Sequence, residues 1–122
     1  MYEIAEVRQD DPALKFRWFT NENATLDLFI WETRERQEIV RFQFYFDRHQ
    51  EEKVIEWKGS RSLWYARVDY GIAIGLGKAS PVLMRQDGID LHDAFSIFQA
   101  YARELDQRVR NFVAARFQEK LN

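Results

Sequence analysis

The middle of the chain alternates apolar and polar side chains between short polar turns, and this pattern most constrains the fold. The alternating segments are TLDLFIWE, IVRFQFYFD, KVIEWK and LWYARVDY, separated by TRERQE, RHQEE and KGSRS. A period of two is typical of β-strands whose two sides meet different surroundings. Connections this short join antiparallel neighbours. The pattern therefore predicts four strands in an antiparallel meander.

The period becomes helical from Asp90 to the end of the chain. One straight helix of ~28 residues would be about 42 Å long, whereas a compact domain of this size is only about 35 Å across. We therefore expect a bend, a break or an overhanging end. Asp90 is a natural helix cap, and Asp106 is a candidate cap for a second segment. The apolar positions are Leu91, Phe95, Phe98, Ala102, Leu105, Val109, Phe112, Val113 and Phe117.

The flanking segments leave alternatives open. Residues 1–10 fit a short strand or a loose arm. Asp11 followed by Pro12 favours the start of a short helix, although a strand through Phe16 and Trp18 is the competing interpretation. Residues 71–89 either prolong the fourth strand or form a loop, and SPVLM fits a short edge strand.

The chain has 122 residues, which fits one domain over residues 1–122. The predicted class is α+β: a four- to five-stranded antiparallel meander sheet with the C-terminal helix, broken or not near Asp106, packed on one face, and a short N-terminal helix. The predicted residues beneath the helix are Leu26, Leu28, Ile30, Val40, Phe42, Phe44, Phe46, Ile55, Trp57, Trp64, Ala66 and Val68.

The other side of the sheet, the second face, is predicted to be unusually apolar. Its apolar members by alternation are Phe29, Trp31, Ile39, Tyr45, Val54, Leu63 and Tyr65. Interleaved polar residues are Asp27, Arg41, Gln43, Asp47, Glu56, Arg67 and Asp69. An exposed set of this size reaches several hundred Å², about the largest patch that a soluble monomer shows. A second copy of the chain, a bound ligand or the N-terminal segment is therefore expected to cover it.

Composition argues against several functions. The net charge of −2 gives no general attraction to nucleic acid, and the chain has no Cys for thiolate chemistry or disulfides. No apolar run approaches the ~20 residues of a membrane span. The first residues lack the pattern of a signal peptide. We therefore expect a cytoplasmic protein that binds neither nucleic acid nor membranes.

The glycines of YGIAIGLGKAS suggest a phosphate-binding loop, but their spacing is wrong. Five residues separate Gly71 from Gly77, and Ala79 follows Lys78 where a Walker loop needs Ser or Thr. The order G-x-x-x-G-x-G also fails the dinucleotide pattern. No cofactor is therefore expected, and the role of residues 71–79 stays open.

The two histidines do not define a metal or catalytic site. His92 lies between Asp90 and Asp93 at a helix start, where capping is the commoner role, and His49 lies in a polar turn. No Ser lies in a G-x-S-x-G elbow. Acids of the second face near Arg41 and Arg67 allow acid–base chemistry, but cross-strand charge pairs are commoner. We expect no metal and name no catalytic residue.

The segments RWF, LDLFIW, FQFYFD and VIEWKG resemble a group of small bacterial proteins of unknown function. The matching positions are Trp18, Phe19, Asp27, Leu28, Phe29, Ile30, Trp31, Phe42, Gln43, Phe44, Phe46, Asp47 and Trp57. The likeness covers residues 16–70, and the group often has Cys where this chain has Tyr45. It implies a bacterial source and a shared hairpin fold, and it implies no activity.

The sequence thus favours a non-enzymatic domain that self-associates, most simply as a homodimer, or that binds a protein through the second face. The alternative is a small-ligand pocket or enzyme with Arg and Asp anchors on a curved sheet. The candidate binding residues are Phe29, Trp31, Arg41, Tyr45, Tyr65 and Arg67.

Overall fold

The computed structural model describes residues 1–48, 51–59, 63–69, 82–85 and 90–121, and of residues 67–69 and 82–85 it describes the backbone alone. These ranges contain seven strands and two helices. The strands are β1 (Tyr2–Glu3), β2 (Leu14–Thr20), β3 (Asp27–Thr33), β4 (Ile39–Phe46), β5 (Lys53–Lys58), β6 (Trp64–Asp69) and β7 (Val82–Arg85). The helices are α1 (Leu91–Tyr101) and α2 (Gln107–Leu121).

All seven strands belong to one antiparallel sheet, in the order β1-β2-β3-β4-β5-β6-β7. Each strand pairs with its neighbours in sequence, which is the meander that the alternation predicts. The α+β class and the C-terminal helical region are confirmed. The sheet is wider than the predicted four or five strands because β1 and β2 extend one side and β7 the other. The strand β7 also confirms the edge strand predicted around SPVLM.

The predicted N-terminal helix is wrong, because residues 14–20 form β2. Phe16 pairs with Trp31 and Trp18 with Phe29 along the full length of β3. Asp11 does cap backbone groups, but in a turn and not in a helix. Its carboxylate accepts a hydrogen bond from the backbone N–H of Ala13 at 2.8 Å. Strand pairing along seven residues outweighs this local preference.

The C-terminal helical region is broken, as its length predicts. Asp90 caps α1, since its carboxylate accepts hydrogen bonds from the backbone N–H groups of His92 (2.9 Å) and Asp93 (3.3 Å). Asp106 caps α2 by accepting from the N–H of Val109 at 3.3 Å. Each cap satisfies backbone donors that the first helical turn leaves unpaired.

Both helices pack on one side of the sheet, which we call the helix face. Phe44 contacts Phe98 of α1 edge-on at 5.6 Å, and Phe98 stacks on Phe117 of α2 at 5.9 Å. The buried sheet residues of this core are Phe19, Leu26, Leu28, Ile30, Ile39, Phe42, Phe44, Phe46, Ile55 and Leu63. The buried helical residues are Ala94, Phe98, Val109, Val113 and Phe117, with Ala102 and Leu105 between the helices.

Strand β6 has the opposite orientation to the one predicted. Leu63 and Tyr65 pack against the helix face, whereas Trp64 and Ala66 pack with Tyr45 and Val54 on the other side. The pairing of Ile55 with Tyr65 sets this orientation. A one-residue change in register exchanges the two sides of a strand. Val68 was also predicted beneath the helix, and its side chain lies outside the described part.

A β-bulge corrects two further positions. Trp31 pairs with Arg41 and Glu32 with Ile39, so Val40 is the extra residue between them. Ile39 therefore lies in the helix-face core, not on the second face, and Val40 is only half-buried. An extra residue of this kind shifts the alternation by one.

A buried arginine joins the sheet edge to the helix break. Arg17 of β2 is 11% exposed and lies 2.8 Å from Glu3, 3.0 Å from Asp106 and 3.8 Å from Glu32. Glu32 is 3% exposed and accepts a hydrogen bond from Arg108 of α2 at 2.6 Å. These five residues, the edge cluster, hold the start of α2 against β2 and β3.

The edge cluster makes stability depend on acidic pH. The hydrogen bond from Arg17 lowers the pKa of Glu3 below its usual value, although partial burial opposes this shift. The unfolded chain therefore takes up a proton before the folded one, and stability falls as pH falls through about 4.3 and below. We expect Glu3→Gln to reduce this acid loss in urea denaturation between neutral pH and about pH 3. An unchanged acid loss in Glu3→Gln would contradict the assignment.

Ala24 adopts a left-handed backbone conformation, with φ at 53°. A side chain there costs roughly 1–2 kcal/mol, whereas glycine costs roughly 0.5–1 kcal/mol through the unfolded chain. We expect Ala24→Gly to stabilise the protein by about 0.5 kcal/mol, measured by urea denaturation. Ala13→Gly, at a residue without positive φ, is the control and should destabilise it. Equal losses in both variants would refute this expectation.

No helix in the described part of the chain combines the length and apolar character that crossing a membrane requires.

Candidate functional site

The side of the sheet away from the helices is rich in aromatic rings, and we call it the aromatic face. The sequence prediction that Trp31 and Tyr45 lie opposite Phe42 is confirmed by the strand register. The rings of this face are Phe16 and Trp18 from β2, Phe29 and Trp31 from β3, Tyr45 from β4 and Trp64 from β6. Each of these rings is half-buried.

Phe29 is the centre of this ring set. It stacks on Phe16 at 5.5 Å and lies 6.0 Å from Trp18, 6.4 Å from Trp31 and 5.6 Å from Tyr45. Phe16 also contacts Trp31 at 5.1 Å. Rings at these separations support one another and form a rigid apolar surface.

A cleft of about 630 Å³ lies over this surface. Its floor is formed by Phe16, Trp18, Phe29 and Trp31, and the N-terminal segment of residues 6–11 forms one side. Leu14 and the polar pair Asp27 and Arg48 complete the lining. The N-terminal segment thus borders the aromatic floor and leaves a concave space beside it.

The N-terminal segment is held against the sheet edge by one side chain. The Gln9 amide donates to the carbonyl of Phe16 and accepts from its N–H, both at 2.8 Å. The amide therefore replaces a neighbouring strand at the outer edge of β2, where backbone groups would otherwise be unpaired. The N–H of Ile4, which precedes the segment, donates to the carbonyl of Trp18 at 2.8 Å, so the chain is also fixed to β2 just before the segment begins.

Asp27 fixes the polar end of the cleft. The carboxylate is 4% exposed, and it accepts hydrogen bonds from the Trp18 indole at 2.8 Å and from Arg48 at 2.7 Å. Arg48 also lies 3.6 Å from the buried Glu52. These contacts hold the Trp18 ring in place and compensate the buried charge.

A second polar network adjoins the rings. Arg41 lies over the Trp31 ring at 4.5 Å and donates to Glu56 at 2.8 Å. Glu56 also accepts from Gln43 at 2.6 Å. Burial, followed by the carboxylates of Glu52 and Glu56, raises the pKa of the Tyr45 hydroxyl above its usual value. This part of the face therefore places a paired guanidinium and carboxylate beside the Trp31 and Tyr45 rings.

The structure brings four of the six predicted binding residues together. Phe29 and Trp31 line the cleft, Arg41 lies over the Trp31 ring, and Tyr45 contacts Phe29 in a T-shaped arrangement. Tyr65 does not join them, because β6 turns it to the helix face. The side chain of Arg67 lies outside the described part of the structure.

Sequence reasoning missed Phe16, Trp18 and Arg48 as site residues. The first two were assigned to a helix, although the alternation Leu14, Phe16, Trp18 already carried the strand signal. Arg48 lies in a polar turn, where no sequence pattern distinguishes it from its neighbours. Its role depends on β3 placing Asp27 within 2.7 Å.

Other candidate sites gain no support. Within the described ranges, no group of three or more His, Cys, Asp and Glu side chains is placed to hold a metal ion. His92 is an exposed residue at the capped start of α1. His49 and the glycine-rich residues 71–79 lie outside the described part. The acids of the aromatic face that were considered for catalysis include Glu56 and Asp27, which pair with Arg41 and Arg48.

Comparison of the sequence with protein-family models, with curated proteins and with solved structures finds no match. The resemblance of residues 16–70 to small bacterial proteins therefore stays a prediction.

Proposed function

We propose that the chain is a non-enzymatic binding domain that takes an apolar group into the cleft of the aromatic face. The observation that carries this proposal is the cleft of about 630 Å³ over four aromatic rings. Binding pockets for small molecules measure roughly 300–1,000 Å³, and apolar walls with a few polar groups line them. The cleft has this size and composition, with Asp27 and Arg48 as its polar groups.

The geometry favours a small ligand, or one side chain of a peptide, over a flat protein partner. The N-terminal segment rises along one side of the floor, and Gln9 holds it there. A large flat surface would meet this segment before it reached the rings of Phe16 and Phe29. A compact apolar group meets no such obstacle.

Self-association through the aromatic face is the second candidate. Tyr45 and Trp64 lie on this face outside the cleft, and both are half-buried. A second copy would cover these rings, which a ligand in the cleft would not reach. Light scattering across a wide range of concentrations tests this candidate. A constant monomer mass would exclude self-association and leave ligand binding as the proposed function.

The ligand proposal predicts a loss of binding when the floor is removed. We expect a thermal-shift screen with small aromatic compounds to give hits for the natural chain, and Trp31→Ala and Phe29→Ala to lose them. Tyr101→Ala is the matched control, because Tyr101 is an aromatic residue 46% exposed on α1. Tyr101→Ala should keep every hit. Absence of hits, or hits that survive both floor variants, would overturn the proposal.

A further inference from the structure

We propose that the cleft selects organic cations: a quaternary or protonated amine attached to a flat apolar body. This inference rests on the proposed binding function and adds the charge of the ligand. Two independent observations support it, the faces of the aromatic rings and the balance of charge around them.

The rings form a surface that attracts cations. The faces of Trp and Phe rings carry partial negative charge, and Trp is the strongest cation–π partner. The floor of the cleft contains two Trp and two Phe rings. The chain itself uses one of them in this way, since the guanidinium of Arg41 lies 4.5 Å from the Trp31 ring.

The charges around the cleft also favour a cationic ligand. Its lining contains the carboxylates of Glu6, Asp10, Asp11 and Asp27, but only the guanidiniums of Arg8 and Arg48. Arg8 pairs with Asp10 at 2.9 Å and Arg48 with Asp27 at 2.7 Å. Among the described residues, Glu6 and Asp11 have no such cationic partner.

Arg48 does not make the cleft a site for anions. Its guanidinium lies against two buried carboxylates, Asp27 at 2.7 Å and Glu52 at 3.6 Å. The positive charge of Arg48 is therefore already engaged by carboxylates of the chain.

Three probes of one shape test the inference. They are benzyl alcohols that carry a trimethylammonium, a tert-butyl or a sulfonate group in the para position, and calorimetry measures their dissociation constants. We expect the trimethylammonium compound to bind about fivefold more tightly than the tert-butyl compound, and the sulfonate to bind most weakly. Higher salt should reduce the preference for the cation, because the acids at the mouth are exposed.

Two variants separate the contributions of charge and rings. Glu6→Gln combined with Asp11→Asn should weaken the binding of the trimethylammonium compound more than the binding of the tert-butyl compound. Trp31→Ala should weaken the binding of both compounds. The control combines Glu22→Gln with Glu35→Gln, which removes two exposed acids outside the cleft lining and should leave the preference intact.

The possible outcomes distinguish this inference from the proposed function. Equal affinity for the cation and the tert-butyl compound would overturn the cation preference and leave the binding function standing. Tightest binding of the sulfonate would also overturn it. If none of the three probes binds, the cation preference is overturned. The thermal-shift screen then tests the proposed binding function separately.

Discussion

Phe44→Ala is expected to lower the free energy of unfolding by about 4 kcal/mol. Phe44 is fully buried on the helix face, between the sheet and Phe98 of α1. Truncating the ring removes its apolar contacts and leaves a cavity that the packed helices close only in part. Urea denaturation followed by circular dichroism measures the loss.

Phe29→Ala is the matched control on the opposite side of the sheet. Phe29 lies on the neighbouring strand and is only half-buried. We expect it to cost about half as much stability as Phe44→Ala and to abolish binding in the cleft. Equal stability losses at the two positions would contradict the assignment of one covered and one accessible face.

The double variant Arg17→Met with Arg108→Met is expected to lose about 3 kcal/mol of stability. Both guanidiniums contact Glu32, whose side chain is 3% exposed. Removing them leaves a buried carboxylate without an opposite charge, and such a group is strongly destabilising. Loss of the Arg17 side chain should also detach the start of α2 from the sheet edge, because Arg17 contacts Asp106. Urea denaturation gives the magnitude.

A third substitution tests the reason for that loss. Adding Glu32→Met removes the unpaired charge, so the triple variant should recover most of the stability. Arg36→Met with Arg103→Met serves as the control, since both arginines are exposed, and each change should stay within about 0.5 kcal/mol. A double variant of natural stability, or a triple variant no better than the double, would show that the edge cluster is not structural.

The hairpins were predictable because their pattern repeats in every strand of the central sheet. Apolar residues at every second position of β3, β4 and β5 give each strand a side that packs in the helix-face core, and short polar turns leave antiparallel pairing as the solution. The length of the helical region predicted a bend, a break or an overhanging end, and the structure has the break. Asp106, with its capping side chain, marked the position.

Orientation was not predictable where both sides of a strand are apolar. Trp64 and Tyr65 are neighbours of similar size, so alternation finds the strand β6 but does not say which ring faces the helices. Pairing of Ile55 with Tyr65 decides it. The sequence pattern does not indicate the bulge at Val40 either, because Ile39 and Val40 are both β-branched and apolar.

The cleft was not predictable from the sequence, because the local signals at residues 11–20 favour a helix where the structure has β2. Asp11 and Pro12 are a strong local helix signal, and only pairing with β3 shows that Phe16 and Trp18 lie on the sheet. An apolar second face predicts a cover, and the N-terminal segment is one candidate for it. No pattern in the sequence predicts that Gln9 fixes the segment at the sheet edge and leaves a concave space beside it.

Titration of a ¹⁵N-labelled sample with benzyl alcohol to tens of millimolar, followed through the indole N–H signals, tests whether the aromatic face holds an accessible binding cleft. Trp18 and Trp31 line the cleft, whereas Trp57 packs against Phe112 on the helix face at 5.0 Å. A binding cleft on the aromatic face should give saturable shifts of the Trp18 and Trp31 signals while the Trp57 signal stays in place. A titration that moves Trp57 and leaves Trp18 and Trp31 unchanged would contradict it.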